Sequence, residues 1–159
     1  MLDEMRPQGM LSTDSTKSKF ASWSKFIFSY CDGSFHQGHR VSPVSYKDSK
    51  LYLRGSLITR AHLKYIQQKY NLKAAKEVVV AGVSAGAMAS YMWTNHIQGL
   101  VDNPNVVSTI VDSGIFINDT TVTTGSYKSA LMLDNLFKLA NANEETPFHE
   151  CNNSTQRGK

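Results

Sequence analysis

Apolar residues in this chain fall into short runs separated by polar, turn-forming stretches, and their spacing changes from run to run. Residues 26–31, Phe-Ile-Phe-Ser-Tyr-Cys, are rich in β-forming side chains and end at Asp32-Gly33, which predicts a strand running into a tight turn. Residues 33–50 read as a loop, and Leu51-Tyr52-Leu53 as extended chain or the approach to a helix. From Ser56 the pattern Leu57, Ile58, Ala61, Tyr65, Ile66 puts apolar groups on one helical face, and Asn71 stops it. Residues 78–81, Val-Val-Val-Ala, form the continuous apolar run expected of a buried parallel strand, and residues 87–93 carry helix formers with no Gly or Pro. Asn103-Pro104-Asn105 breaks the chain before a second buried strand at 106–111, and helical spacing returns over 131–140 through Leu131, Met132, Asn135, Leu136 and Leu139.

This order, strand, helix, strand, helix, strand, predicts an α/β fold with a mainly parallel sheet flanked by helices, because parallel strands need crossovers longer than a hairpin. Residues 1–22 and 141–159 are polar and turn-rich and are expected to be largely irregular, so residues 1–159 form a single domain. With 41% hydrophobic and 19% charged residues, the composition is that of one globular unit. There is no internal repeat.

Charge removes several function classes. The net +4, from 17 Lys and Arg against 13 Asp and Glu, is spread thinly, with Lys17, Lys19 and Lys25 as the nearest approach to a basic cluster. A phosphate-tracking groove needs a basic stripe interleaved with aromatics, so nucleic-acid binding is not expected. No run of about 18 apolar residues exists, so no membrane span is expected. The start, Met1-Leu2-Asp3-Glu4-Met5-Arg6-Pro7, has neither the basic nor the apolar region of a signal peptide. Asn118-Asp119-Thr120, Asn152-Asn153-Ser154 and Asn153-Ser154-Thr155 fit the glycosylation acceptor pattern, which has meaning only in a secretory compartment. Cys31 and Cys151 lack metal-ligand spacing, so a zinc site is not expected. Each cysteine is compatible with a buried free thiol, a bridge to the other, or a partner elsewhere.

The candidate chemistry centres on Gly82-Val83-Ser84-Ala85-Gly86. A G-x-S-x-G segment between a strand and a helix exposes the serine hydroxyl at a sharp turn, where a base and a substrate both reach it, and its glycines are expected where a side chain would clash. The same pentapeptide also closes strand–helix units without chemistry. A phosphate loop is disfavoured because no Gly-Lys-Ser/Thr follows and the G-x-G-x-x-G spacing is absent. Ser84, Asp112 and His149 follow the nucleophile, acid, base order of hydrolases, which makes them one internal candidate triad; Asp112 is more simply a turn residue whose carboxylate accepts backbone N–H bonds. His36 and His39 are placed to line a cleft or, more simply, to sit solvated in a loop, while His62 and His96 read as surface or helix-end groups. Asp32 suits a turn better than the cleft, and Arg54 suits pairing with a buried carboxylate that the sequence does not name.

Four blocks in order, Tyr30-Cys31-Asp32-Gly33-Ser34-Phe35, Leu51-Tyr52-Leu53-Arg54-Gly55, Ala81-Gly82-Val83-Ser84-Ala85-Gly86 and Val111-Asp112-Ser113-Gly114-Ile115-Phe116, resemble the pectin acetylesterase family, which also contains the Notum-type protein-delipidating carboxylesterases. The resemblance runs from about Leu11 to about Phe116. It implies an α/β-hydrolase-like fold, with Ser84 as nucleophile and the Ala85 backbone N–H as an oxyanion-hole donor. It also implies an extracellular serine carboxylesterase acting on acetyl esters of a pectin-like polysaccharide without a cofactor. The family's Gly-Gly-Gly-Trp-Cys segment would precede Met1, and its triad Asp and His lie further along than this chain reaches, so the resemblance implies an incomplete copy of the fold. The alternatives are a truncated, non-catalytic hydrolase-like protein and a protein-delipidating enzyme, whose long acyl chain would need a deep apolar cavity.

Overall fold

β-Branched residues repeat along 78–83 and 106–111, and in the computed structural model they pair. The model describes residues 8–115, 119–120 and 122–142. Strand β3 (Val78–Val83) runs parallel to β4 (Val107–Asp112), in register from Val78↔Val107 to Val83↔Asp112. Helix α2 (Ala85–Gln98) makes the crossover between them, as parallel pairing requires. Upstream lie β1 (Val44–Tyr46), β2 (Ser49–Leu51) and helix α1 (Gly55–Tyr70); downstream lies helix α3 (Lys128–Leu139). The architecture is mixed α/β, with two two-stranded sheets and three α-helices among the described residues.

Both strands around the elbow and all three helices stand close to their expected positions. Asn71 ends α1 in the left-handed conformation, φ 53° and ψ 50°, which a short polar side chain tolerates better than a bulky one. The hydrophobic core joins Leu63 of α1, Trp93 and Ile97 of α2, Val101 and Val107, with half-buried Val78 and Val80 of β3 against it. Trp93 is fixed twice, by packing and by donating from Nε1 to the His36 carbonyl at 3.1 Å.

Four expectations are corrected. Residues 26–31 form no strand and pair with none among the described residues. Their alternate rings instead meet other aromatic groups: Phe26 on Tyr70 at 4.9 Å, Phe28 on His62 at 5.2 Å and Tyr30 stacked on His36 at 5.1 Å. A period of two therefore sets one face against ring partners, with Phe28 half-buried and Phe26 and Tyr30 still exposed. Second, the expected loop 33–50 contains β1 and part of an antiparallel hairpin, with Val44 opposite Leu51 and Tyr46 opposite Ser49. Its turn carries Lys47 at φ 50°, not the Asn-Gly or Asp-Gly that signals such turns in sequence. Third, the buried side of α1 runs through Gly55, Ser56, Thr59, Leu63 and Ile66, whereas Ile58, Ala61 and Tyr65 are exposed. Ser56 sits inside because it faces the polar turn at 34–38, where its Oγ donates to the Gly38 carbonyl at 2.8 Å. Fourth, β3 is half-buried and β4 largely exposed beyond Val107, so neither is the fully covered strand the apolar runs suggest.

Candidate active site

Serine at the end of a strand has no intrinsic reason to leave the allowed regions of backbone space, yet Ser84 has φ 54° and ψ −112°. Such a conformation costs on the order of 1–3 kcal/mol for a residue with a Cβ and persists only where its surroundings enforce it. Two backbone bonds do so here. The Ser84 N–H donates to the Asp112 carbonyl at 3.0 Å, and the Ser84 carbonyl accepts from Met88 N–H at 3.1 Å in the first turn of α2. Ser84 is exposed, directly between β3 and α2.

The glycine on each side does a different job. A Cβ on Gly82 would lie 2.0 Å from the Gly86 carbonyl oxygen and 2.2 Å from its carbon, so the strand and helix approach too closely for any side chain. A Cβ on Gly86 would meet nothing within 4 Å, which corrects the expectation that both glycines avoid a clash. Ala85 opens α2 and is half-buried. Its N–H belongs to the first helical turn, whose donors have no intrahelical acceptor, and the helix dipole adds partial positive charge there. An oxyanion forming on an acyl group at Ser84 would meet that field.

Asp112 ends β4 and stands beside Val83 in the parallel register, so the tips of both strands come together. Its carboxylate accepts from the Ser113 hydroxyl at 2.9 Å, in place of the backbone N–H bonds expected of a capping residue, and its carbonyl holds Ser84. His149 lies outside the described residues, as do Cys151, Asn118, Asn152 and Asn153. Cys31 is exposed and forms no disulfide among the described residues, which corrects the buried alternative.

The loop histidines are half-buried rather than freely solvated. His36 is half-buried, stacked on Tyr30, and burial holds its imidazole below the usual histidine value, opposed by the Asp32 carboxylate and reinforced by His62. His39 places Nδ1 3.1 Å from Ser56 Oγ. His62 is exposed as expected, and His96, in the last turn of α2, is half-buried against Trp93, with burial and Arg60 lowering its pKa. Asp32 serves the turn: its carboxylate accepts from Ser34 N–H at 3.1 Å and from Ser34 Oγ at 2.6 Å. Arg54 donates to the Val41 carbonyl and covers the Tyr52 ring at 5.3 Å, so no carboxylate is its partner in these contacts. Sequence reasoning missed Ser113, a second left-handed serine (φ 54°) beside Ser84; only the parallel register places the two together.

A groove along α2 and β4 is lined by Tyr91, Thr94, Asn95, Thr109 and Val111, and does not include Ser84. Among the described residues no helix is long and apolar enough to cross a membrane.

The geometry has relatives. Over residues 1–159 the chain matches the family model described as Pectinacetylesterase. It is similar to three curated proteins of Arabidopsis thaliana. It is 31% identical to Pectin acetylesterase 7 and 30% identical to Pectin acetylesterase 11, each over 115 residues, 71% of this chain and 28% of the relative. It is 29% identical to Pectin acetylesterase 5 over 116 residues, 72% of this chain and 27% of the relative. The match thus spans little more than a quarter of each relative's length. No solved structure matches the chain significantly. With a strained serine at a strand–helix elbow and a family match along its whole length, the chain belongs to the pectinacetylesterase family.

Proposed function

We propose that Ser84 is the nucleophile of a serine carboxylesterase that removes acetyl groups from a pectin-like polysaccharide. The backbone of Ser84 carries this reading, because a left-handed, exposed serine between strand and helix is costly to keep without a use. Family membership and the names of the relatives support the substrate class. In this mechanism a histidine base takes the Ser84 proton, and the alkoxide attacks the ester carbonyl. The Ala85 N–H at the start of α2 holds the oxyanion, the sugar hydroxyl leaves, and water releases acetate from the acyl-enzyme.

The β3–α2–β4 unit is read as part of an α/β-hydrolase-like sheet that the relatives' greater length would extend. An extracellular location follows from the same family resemblance. For the acid and base, Asp112 with His149 is one arrangement, and groups beyond this chain are the other.

The test is turnover of p-nitrophenyl acetate and acetate release from acetylated pectin, beside labelling by a fluorophosphonate. Ser84→Ala is expected to abolish labelling and lower turnover by about 10⁴- to 10⁶-fold. A fluorophosphonate that labels both forms equally would refute the assignment. His149→Ala then locates the base: a comparable loss supports Asp112 and His149, while full activity places the base elsewhere.

A further inference from the structure

Gly114 has no conformational need to be glycine, since it lies outside the left-handed region. Its reason is space. A Cβ there would fall 2.1 Å from Val111 Cγ1, 2.7 Å from Ala87 Cβ and 3.5 Å from Tyr91 Cε2. Ala87 is completely buried in the first turn of α2, and Gly114 is buried against it. Two residues earlier the same turn presents the Asp112 carbonyl to the Ser84 N–H, and between them Ser113 takes φ 54° with its hydroxyl on the Asp112 carboxylate. The turn after β4 therefore touches the elbow at two points: Asp112 holds the peptide before Ser84, and Gly114 bears on the helix after it.

We propose that Gly114 is a positioning residue for Ser84. By letting the 112–114 turn close onto Ala87, it sets the distance between the first turn of α2 and the Asp112 carbonyl, and so holds Ser84 in its strained conformation. It acts through Ala87 and Asp112, and touches no reacting atom. The inference rests on the nucleophile reading of Ser84 for its functional meaning, while the geometry it claims is measurable without activity.

The experiment compares Gly114→Ala, Ala87→Gly and the double variant, following backbone amide exchange by NMR and the rate of fluorophosphonate labelling. In Gly114→Ala, exchange of the Ser84 amide is expected to accelerate by about tenfold or more while the Leu63 and Ile66 amides of α1 keep their protection. Labelling is expected to slow by about 10²-fold, the effect of misplacing a reacting group by about 1 Å. Adding Ala87→Gly removes the α2 methyl that opposes the new Cβ, leaving only the Val111 and Tyr91 side chains to give way, and is expected to restore both quantities in part. If Gly114→Ala does not fold, Ala87→Gly alone loosens the same contact, and its Ser84 amide is read against the same α1 references. Unchanged Ser84 exchange, or acceleration equal to that of the α1 amides without recovery in the double variant, overturns the proposal. Absence of Ser84-dependent labelling in the unmodified chain overturns the esterase reading instead, leaving the exchange data to decide the positioning role.

Discussion

The two glycines of the elbow look equivalent in sequence and should respond in opposite directions to the same change. Gly82→Ala places a methyl 2.0 Å from the Gly86 carbonyl oxygen, 2.2 Å from the carbon and 2.8 Å from Ala87 N. All three atoms are backbone, so no side chain can rotate away. Restoring contact near 3.5 Å requires the strand and the first turn of α2 to separate by about 1 Å or more. That movement opposes the Ser84–Asp112 bond and the packing of Ala87, so the cost belongs at the upper end of overpacking penalties, about 3 kcal/mol. For a chain of this size it corresponds to a fall in Tm of about 6–12 °C. Gly86→Ala adds a methyl in open space within α2 and removes glycine's unfolded-state entropy, for a gain of about 0.4–1 kcal/mol, or about 1–4 °C. Thermal unfolding followed by circular dichroism reads both. Equal melting temperatures, or a larger loss in Gly86→Ala, would refute this division of labour.

The strain at Ser84 implies that Ser84→Gly is more stable than Ser84→Ala by about 1 kcal/mol in urea titrations; the reverse order would show that the conformation is unstrained. Because burial lowers the pKa of both His36 and His96 below 6.5, the unfolded chain takes up their protons first on acidification. Stability is therefore complete above pH 6.5 and falls as pH drops from there toward the lowered folded values. The urea midpoint is expected to be lower at pH 5 than at pH 7.5, with a smaller difference in His36→Asn, whose side chain tolerates the φ of 59° at that position. A midpoint that rises on acidification refutes this. Trp93→Phe removes the donor to the His36 carbonyl from a site only 3% exposed and should cost about 1–3 kcal/mol, measured by the same titration; a neutral result would mean that water satisfies that carbonyl.

Local pattern alone determined the central unit of this protein: valine runs specify β3 and β4, the Gly- and Pro-free stretch 87–93 specifies the middle of α2, and Ser84 falls between β3 and that helix by sequence. Asn71 likewise marks the end of α1 by its own backbone preference. These features depend on near neighbours in the chain, so they are legible without a fold. What pairs with what is different, because a hydrogen-bond or packing partner distant in sequence leaves no local trace. Phe26, Phe28 and Tyr30 have the alternation of a strand, yet rings from α1 and the 34–38 turn receive them where a neighbouring strand was expected. Only the β3–β4 register brings Asp112 and Ser113 beside Ser84, and only the approach of backbones distinguishes Gly82, which has no room for a methyl, from Gly86, which has. Sequence placed the hydroxyl at the elbow; tertiary contact holds it in a conformation that serine would not adopt alone.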